Sequence, residues 1–178
     1  RTDLRLRPDP LSTPLAVSTA AAETYYESVG QNWERAALIK ARPIAGDIVS
    51  GNEFLQSLEP FIWRKTLDFA ALQDIQSIKS QIDSQNKTID SLAGHNVKLG
   101  RGGIREIEFF AQTLQLIWGG RLREVRCSST VDALRALSVQ GRISEVVCNQ
   151  MENSYWFLRS VENRLQMVED RQIHVLPK

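Results

Sequence analysis

Polar and apolar residues alternate at the start of the chain. In RTDLRLR, Thr2, Leu4 and Leu6 alternate with charged residues, and a period of two predicts a strand with one apolar and one charged face. Such a charged face is usually the solvated side of an edge strand, where arginine also discourages unwanted pairing. Prolines at 8, 10 and 14 then end regular structure, so the pattern predicts one short strand before the first helix.

After this strand the apolar residues recur at helical spacing, separated by capping residues, glycines and Pro43. We expect a mainly α chain, in which a small remnant of a β-sheet precedes a helical bundle. The apolar stripe of the last predicted helix runs from Val147 to Val168. The predicted helices are Ser18 or Thr19 to Gly30, WERAALIKAR, about 52–82 with Pro60 as a candidate break, 104–118 ending at Gly119–Gly120, 131–140 with Ser129 or Thr130 as its cap, and about 145–169 after Ser144.

The composition is that of an ordinary globular protein, because 42% of its 178 residues are apolar and 24% are charged. Lys and Arg total 22 against 21 Asp and Glu, so the overall charge gives no argument for a nucleic-acid or membrane partner. Any anion site must therefore be local. The sequence has neither a membrane-span-length apolar run nor a signal-peptide pattern, so we expect a cytoplasmic protein.

Cysteine and histidine are too sparse to suggest zinc. Cys127 and Cys148 lie apart without a CxxC spacing, and the chain has two histidines. We expect two reduced thiols, Cys127 in a loop and Cys148 on a buried helix face.

The charged face of the first strand could hold a metal and a phosphate. Asp3, Arg5 and Arg7 follow one another at two-residue steps, and carboxylate suits Mg²⁺ while guanidinium suits phosphate. One carboxylate alone makes a weak magnesium site, and the sequence has no D-x-D. Glu106 and Glu108 are two apart on a predicted helix, so they point to different sides and cannot chelate one ion together.

Two further motifs carry candidate anion contacts. GRGGIREIEFF places a glycine-rich loop at a helix start, where unpaired N–H groups and Arg105 would attract an anion, although such a loop is more often only a turn. It lacks the P-loop pattern. WERAALIKAR carries Arg35, Lys40 and Arg42, and the alternative interpretation is that these are helix-end charges beside a core tryptophan, Trp33.

Taken in order, these motifs resemble the glutamine synthetase adenylyltransferase family, the bifunctional adenylyl-transfer and adenylyl-removing enzymes of bacterial nitrogen control. The resemblance covers essentially the whole chain, from RTDLRLRPDP through YYESVGQNWERAALIKARPIAGD to KLGRGGIREIEFFAQ and WGGR. WERAALIKAR and GGIREIEFF are similar to the amino-terminal, adenylyl-removing half. The carboxy-terminal half typically reads closer to WEHQAL and GGLVDIEF.

The resemblance implies a polymerase-β-like nucleotidyltransferase sheet, of which residues 1–50 are the C-terminal part, followed by a helical bundle domain over 51–178. In that superfamily one strand carries Gly-Ser and Asp-x-Asp, and a later strand supplies a third carboxylate. This sequence begins after the place where the first strand would be, so we expect a fragment that is inactive alone. The implied roles are Asp3 as catalytic metal ligand, Arg5 and Arg7 as phosphate contacts, Lys40 and Arg42 near the nucleotide, and Arg105 beside it in the helical domain.

The resemblance also implies the reaction and the partners. Mg²⁺ would assist attack of inorganic phosphate on an adenylyl-tyrosine of glutamine synthetase, which releases ADP, and the bifunctional enzyme would also adenylylate it from ATP. The implied partners are glutamine synthetase, the PII signalling protein, ATP or ADP, and phosphate. Two alternatives stay open: a non-catalytic helical module that docks glutamine synthetase, PII or a sister domain, and a PII uridylyltransferase, whose helical domain shares a GG[LI]R[DE]-like turn.

Overall fold

The computed structural model of the chain describes residues 8–9, 13–65, 94–169 and 173–177. These ranges are mainly helical, which confirms the predicted class, and they contain no strand, only an isolated antiparallel bridge between Asn96 and Val175. The predicted strand over 1–7 lies outside them, so the sheet remnant stays a prediction. The helices are α1 (Thr19–Ser28), α2 (Asn32–Leu38), α3 (Ile48–Ser57), α4 (Glu59–Ile62), α5 (Ile104–Trp118), a 3₁₀ turn (Arg123–Val125), α6 (Thr130–Val139) and α7 (Glu145–Glu169).

Side-chain caps begin the helices where the sequence predicted them. The Ser18 hydroxyl accepts a hydrogen bond from the Ala21 N–H at 3.2 Å, and Ser129 accepts one from the Asp132 N–H at 3.3 Å. Ser144 caps α7 in the same way. These caps satisfy N–H groups that the first helical turn would otherwise leave unpaired.

The predicted helix over 52–82 is confirmed in part within the described residues. The helix begins at Ile48, and the break lies at Leu58 rather than at the candidate Pro60, so that a second short helix covers Glu59–Ile62 and residues 63–65 are not helical. Pro60 lies in the first turn of α4, where its missing N–H costs nothing, so it starts a helix rather than ending one. Residues 66–82 of the prediction lie outside the described ranges.

Two apolar clusters form the core. The first takes residues from both sides of the predicted domain boundary at 50, and that boundary itself stays a prediction. The second lies between α5, α6 and α7. The buried members are Ala22, Tyr26, Ile39, Leu58, Phe61, Ile62 and Leu116 in the first, and Ile107, Ala111, Ala133, Leu134 and Cys148 in the second.

Two residues expected in the core are instead exposed: Val168, from the apolar stripe of the last predicted helix, and Trp33, from the alternative interpretation of WERAALIKAR. Val168 is 81% exposed and Trp33 is 41% exposed. The part of α7 that packs on the second cluster includes Met151, Tyr155 and Leu158, so apolar residues near its C-terminal end lie beyond that cluster. No helix in the described part of the chain is long and apolar enough to cross a membrane.

A glycine pair lets the chain close tightly after α5. A Cβ on Gly119 would collide with the Trp63 ring, and a Cβ on Gly120 would collide with the Arg64 backbone. Arg126 reinforces this contact by donating to the Gly119 carbonyl at 2.7 Å while its guanidinium lies 5.5 Å from the Trp63 ring centroid. The WGG sequence therefore provides close packing as well as a helix stop.

Candidate functional site

The strand residues predicted to hold metal and phosphate lie outside the described ranges. These are Asp3, Arg5 and Arg7. Within the described ranges no group of three or more His, Cys, Asp or Glu side chains is placed to hold a metal ion. The roles assigned to Asp3, Arg5 and Arg7, and the role of Mg²⁺, therefore stay predictions from the sequence.

Lys40 lies just after α2 and points toward the helical bundle. Its Nζ donates to Glu108 Oε1 at 3.1 Å and to Thr130 Oγ1 at 3.0 Å. Glu108 comes from α5 and Thr130 from α6, so one ammonium group links three elements that are far apart in sequence. Arg42, two residues further on, is exposed.

Arg105 forms an ion pair with the same carboxylate, that of Glu108. Its Nη1 is 3.5 Å from Glu108 Oε2, across one helical turn of α5, and the Arg105 side chain is 54% exposed. The two motifs that the sequence singled out separately, WERAALIKAR and GRGGIREIEFF, therefore meet at Glu108. We call Lys40, Arg105, Glu108 and Thr130 the Glu108 cluster.

Backbone donors at the start of α5 are already used. The Gly102 N–H donates to the Glu106 carboxylate at 3.0 Å, and the first helical N–H groups donate to carbonyls of the preceding loop. An anion near this helix would therefore meet the Arg105 guanidinium rather than open backbone donors. Glu106 contacts the loop, whereas Glu108 contacts Lys40 and Arg105. This confirms the prediction that the two carboxylates point to different sides of the helix. The loop bonds run from Ile104 to Val97 and from Arg105 to Lys98, both at 3.0 Å.

A cleft of about 290 Å³ lies beside Lys40. Its wall combines the half-exposed Trp33 ring with small apolar side chains of α2, and its members are Tyr26, Trp33, Glu34, Ala37, Leu38, Lys40 and Ala41. Burial raises the pKa of Tyr26 to about 12, so its hydroxyl stays protonated at neutral pH. The cleft therefore gives access to Lys40 along an aromatic and aliphatic surface.

Arg35, the remaining cation of WERAALIKAR, has a structural place. It is 1% exposed, and its Nε and Nη2 donate to the Ile62 carbonyl at 3.2 and 3.0 Å. Burial first, and then the nearby charge of Arg64, lower the pKa of Arg35 to about 10, so it remains charged at neutral pH. Arg35 thus satisfies the last carbonyl of α4 rather than facing a ligand.

A second charged cluster was missed by the sequence analysis. Glu162 is 2% exposed, and its carboxylate lies 3.3 Å from Lys98 Nζ, 2.6 Å from Arg159 Nη1 and 3.1 Å from His174 Nδ1. Burial, followed by the charge of Lys98, lowers the pKa of His174, so this ring is neutral at neutral pH. Its position in the sequence could have indicated this burial, because Glu162 follows Leu158 by four residues and so lies on the inward stripe of α7.

Comparison with known proteins indicates the class of protein to which this chain belongs. Residues 74–178 match the family model described as GlnD PII-uridylyltransferase, and residues 1–57 match the model described as Glutamate-ammonia ligase adenylyltransferase. Both descriptions name nucleotidyltransferases, the class that the resemblance implied. The match over 74–178 also reflects the predicted likeness between the two helical domains.

Close relatives identify the particular family. The chain is 61% identical over 99% of its length to a protein of Agrobacterium fabrum, 57% identical over 100% to one of Brucella melitensis, and 58% identical over 100% to one of Rhizobium meliloti. Each is named a bifunctional glutamine synthetase adenylyltransferase/adenylyl-removing enzyme. The chain belongs to this family, which confirms the resemblance, and it spans about 18% of the length of these curated relatives.

Proposed function

We propose that this chain forms part of an Mg²⁺-dependent adenylyl-removing domain that acts on glutamine synthetase. Inorganic phosphate attacks the adenylyl phosphorus, the bond from that phosphorus to the tyrosine oxygen breaks, and ADP and free tyrosine result. The observation that carries this proposal is the 61% identity, along nearly the whole chain, to a relative named a bifunctional glutamine synthetase adenylyltransferase/adenylyl-removing enzyme. The resemblance of WERAALIKAR and GGIREIEFF to the amino-terminal half supports removal rather than transfer.

Positioning and charge neutralisation account for most of the catalysis in such a transfer. Asp3 would hold Mg²⁺, which neutralises phosphate charge when bound, and Arg5 and Arg7 would contact phosphate oxygens. Lys40 and Arg105 would add positive charge from the helical side, and their convergence on Glu108 supports this part of the assignment. No side chain is required as a nucleophile, since phosphate itself attacks.

The wider setting follows from the same family. We propose that the complete enzyme also adenylylates glutamine synthetase from ATP, responds to the PII signalling protein, and works in the cytoplasm. In this scheme Arg42, which is exposed, contributes to the nucleotide side of the site.

Product identity tests the proposed reaction. The Agrobacterium fabrum relative, with its matching segment replaced by this chain, would be incubated with adenylylated glutamine synthetase, Mg²⁺ and ³²P-labelled phosphate. We expect the label in ADP and no ADP when Mg²⁺ is chelated. Unlabelled AMP as the product, or label that appears without Mg²⁺, would contradict phosphorolysis. The 178-residue chain alone should give no turnover, because it carries one of the three carboxylates of the family pattern.

The exposed apolar residues of α7 favour a second candidate, a docking module for glutamine synthetase or PII. Trp156, Phe157 and Met167 are 58%, 67% and 82% exposed. Calorimetric titration of the chain with each protein, without nucleotide, would test this function. Binding that is lost in Trp156→Ser but kept in Ser160→Ala would support the module, and no heat with either protein would count against it.

A further inference from the structure

The Glu108 cluster holds more positive than negative charge. Lys40 and Arg105 both lie on Glu108, at 3.1 and 3.5 Å, so two cations share one carboxylate. The cations come from segments 65 positions apart in the chain. This arrangement leaves a net positive charge that a phosphate dianion could neutralise better than Glu108 alone.

The cluster also contains hydroxyl groups. Thr130 is buried and accepts from Lys40 at 3.0 Å, and the Tyr155 hydroxyl lies close to the Thr130 side chain. Burial first, and then the charge of Glu108, raise the pKa of Tyr155, so its hydroxyl is protonated at neutral pH. Hydroxyls of this kind can reorient toward a bound anion because their hydrogens rotate.

A ligand can reach this cluster. The side chains of Lys40 and Arg105 are 34% and 54% exposed, and Lys40 is one of the residues that line the cleft of about 290 Å³. Glu108 is 14% exposed and lies deeper than both cations. An incoming phosphate would therefore meet the two cations first, with the carboxylate behind them.

From this geometry we infer that Glu108 is an internal counter-ion that phosphate must displace from Lys40 and Arg105. Glu108 is thus a positioning residue: it holds both cations in place while the site is empty and lowers their affinity for anions. The inference rests on the proposed function, in which inorganic phosphate is the attacking substrate. It adds a residue that sets phosphate affinity rather than one that touches the reacting phosphorus.

Phosphate titration tests the inference without any turnover. Calorimetry would compare the chain with its Glu108→Gln and Lys40→Met variants at constant ionic strength, with inorganic phosphate as the probe. We expect Glu108→Gln to bind phosphate about fivefold more tightly, because a partly exposed ion pair of up to about 1 kcal/mol no longer competes. Lys40→Met should bind at least about fivefold more weakly.

Glu152→Gln is the matched control, since Glu152 forms an Arg pair in which Arg135 Nε donates at 3.0 Å. Its phosphate affinity should equal that of the unchanged chain. An unchanged or weakened affinity in a folded Glu108→Gln variant would overturn the inference. If that variant fails to fold, Glu108→Asp serves instead, because a shorter side chain also loosens both pairs and should tighten phosphate binding.

A measurement on the unchanged chain makes the result independent of any variant. Acetic anhydride labelling, read by mass spectrometry, should modify Lys40 more slowly in saturating phosphate than in chloride of the same ionic strength. Lys65, which is exposed, reports general effects on the reagent. Equal labelling of Lys40 in both salts would overturn the inference. Because no step uses glutamine synthetase, a failure here leaves the proposed adenylyl removal standing, and a failed ADP assay leaves this anion site standing.

Discussion

Replacing Glu162 with glutamine should destabilise the protein measurably. The carboxylate is 2% exposed, and the change leaves Lys98 and Arg159 without their shared counter-charge. Fully buried charged hydrogen bonds contribute about 1.5–3 kcal/mol each, whereas exposed pairs contribute about 1 kcal/mol or less. The two cations are 34% and 39% exposed, so we assign about 1 kcal/mol to each contact and expect a loss of about 2 kcal/mol in total.

Thermal and denaturant unfolding would measure this loss. For a chain of this size, about 2 kcal/mol corresponds to a decrease in Tm of about 4–8 °C. Glu152→Gln, which removes the carboxylate that Arg135 contacts, is the matched control and should cost about 0.5 kcal/mol, or less than about 2 °C. If Glu162→Gln melts no lower than this control, burial of the Glu162 cluster does not stabilise the fold.

Hydrogen exchange would localise the effect. The Val97 N–H donates to the His174 carbonyl at 2.8 Å, and the Leu176 N–H donates to the His95 carbonyl at 2.9 Å. Glu162 contacts the same two segments through Lys98 and His174. In Glu162→Gln both N–H groups should exchange faster, while N–H groups in α6 keep their rates. Uniformly faster exchange across α6 would instead indicate global destabilisation without a local role.

Three further predictions concern stability. Folding lowers the pKa of His174, so the unfolded state takes up the proton at a higher pH than the folded state does. The free energy of unfolding should therefore fall as the pH drops below about 6.5. Urea titrations at several pH values should show a smaller fall for His174→Gln. Gly120→Ala should lower the free energy of unfolding by about 1–3 kcal/mol, since the new methyl group meets backbone, and an unchanged denaturation midpoint would refute that packing. Arg35→Lys should lower the free energy of unfolding by about 2 kcal/mol, because one ammonium replaces two directed donors to the Ile62 carbonyl. The control Arg42→Lys, at an exposed position, should melt like the unchanged chain. Equal melting temperatures for the two variants would contradict the structural role of Arg35.

Local signals in the sequence predicted much of the fold. Ser18, Ser129 and Ser144 lie at helix starts because their hydroxyls satisfy first-turn N–H groups, an interaction that depends on residues only three positions away. The left-handed backbone of Gly141, with φ of +66°, likewise ends α6 by a local preference. The break near Pro60 lies at Leu58 instead, because proline is compatible with the first turn of a helix as well as with a helix end.

The candidate site depends on contacts that spacing does not encode. Lys40 and Arg105 were each plausible anion contacts, but nothing local shows that both reach Glu108. A glutamate on a helix ordinarily belongs to the solvated face, which is why Glu162 was overlooked although it lies on the inward stripe of α7. The alternative interpretation made the opposite error for Trp33: it placed this residue in the core, whereas the Trp33 ring is 41% exposed and lines a cleft.

The most direct test of the proposed function is the rate of ADP release by Asp3→Asn in the Agrobacterium fabrum enzyme that carries this chain. With adenylylated glutamine synthetase, phosphate and Mg²⁺, we predict a loss of at least about a hundredfold, because changes to groups that only support metal ligands already cost about 10–100-fold. Asp9→Asn, six residues along the same stretch, should keep its rate. Undiminished ADP release by Asp3→Asn would contradict the assignment of this chain to the metal-dependent adenylyl-removing site.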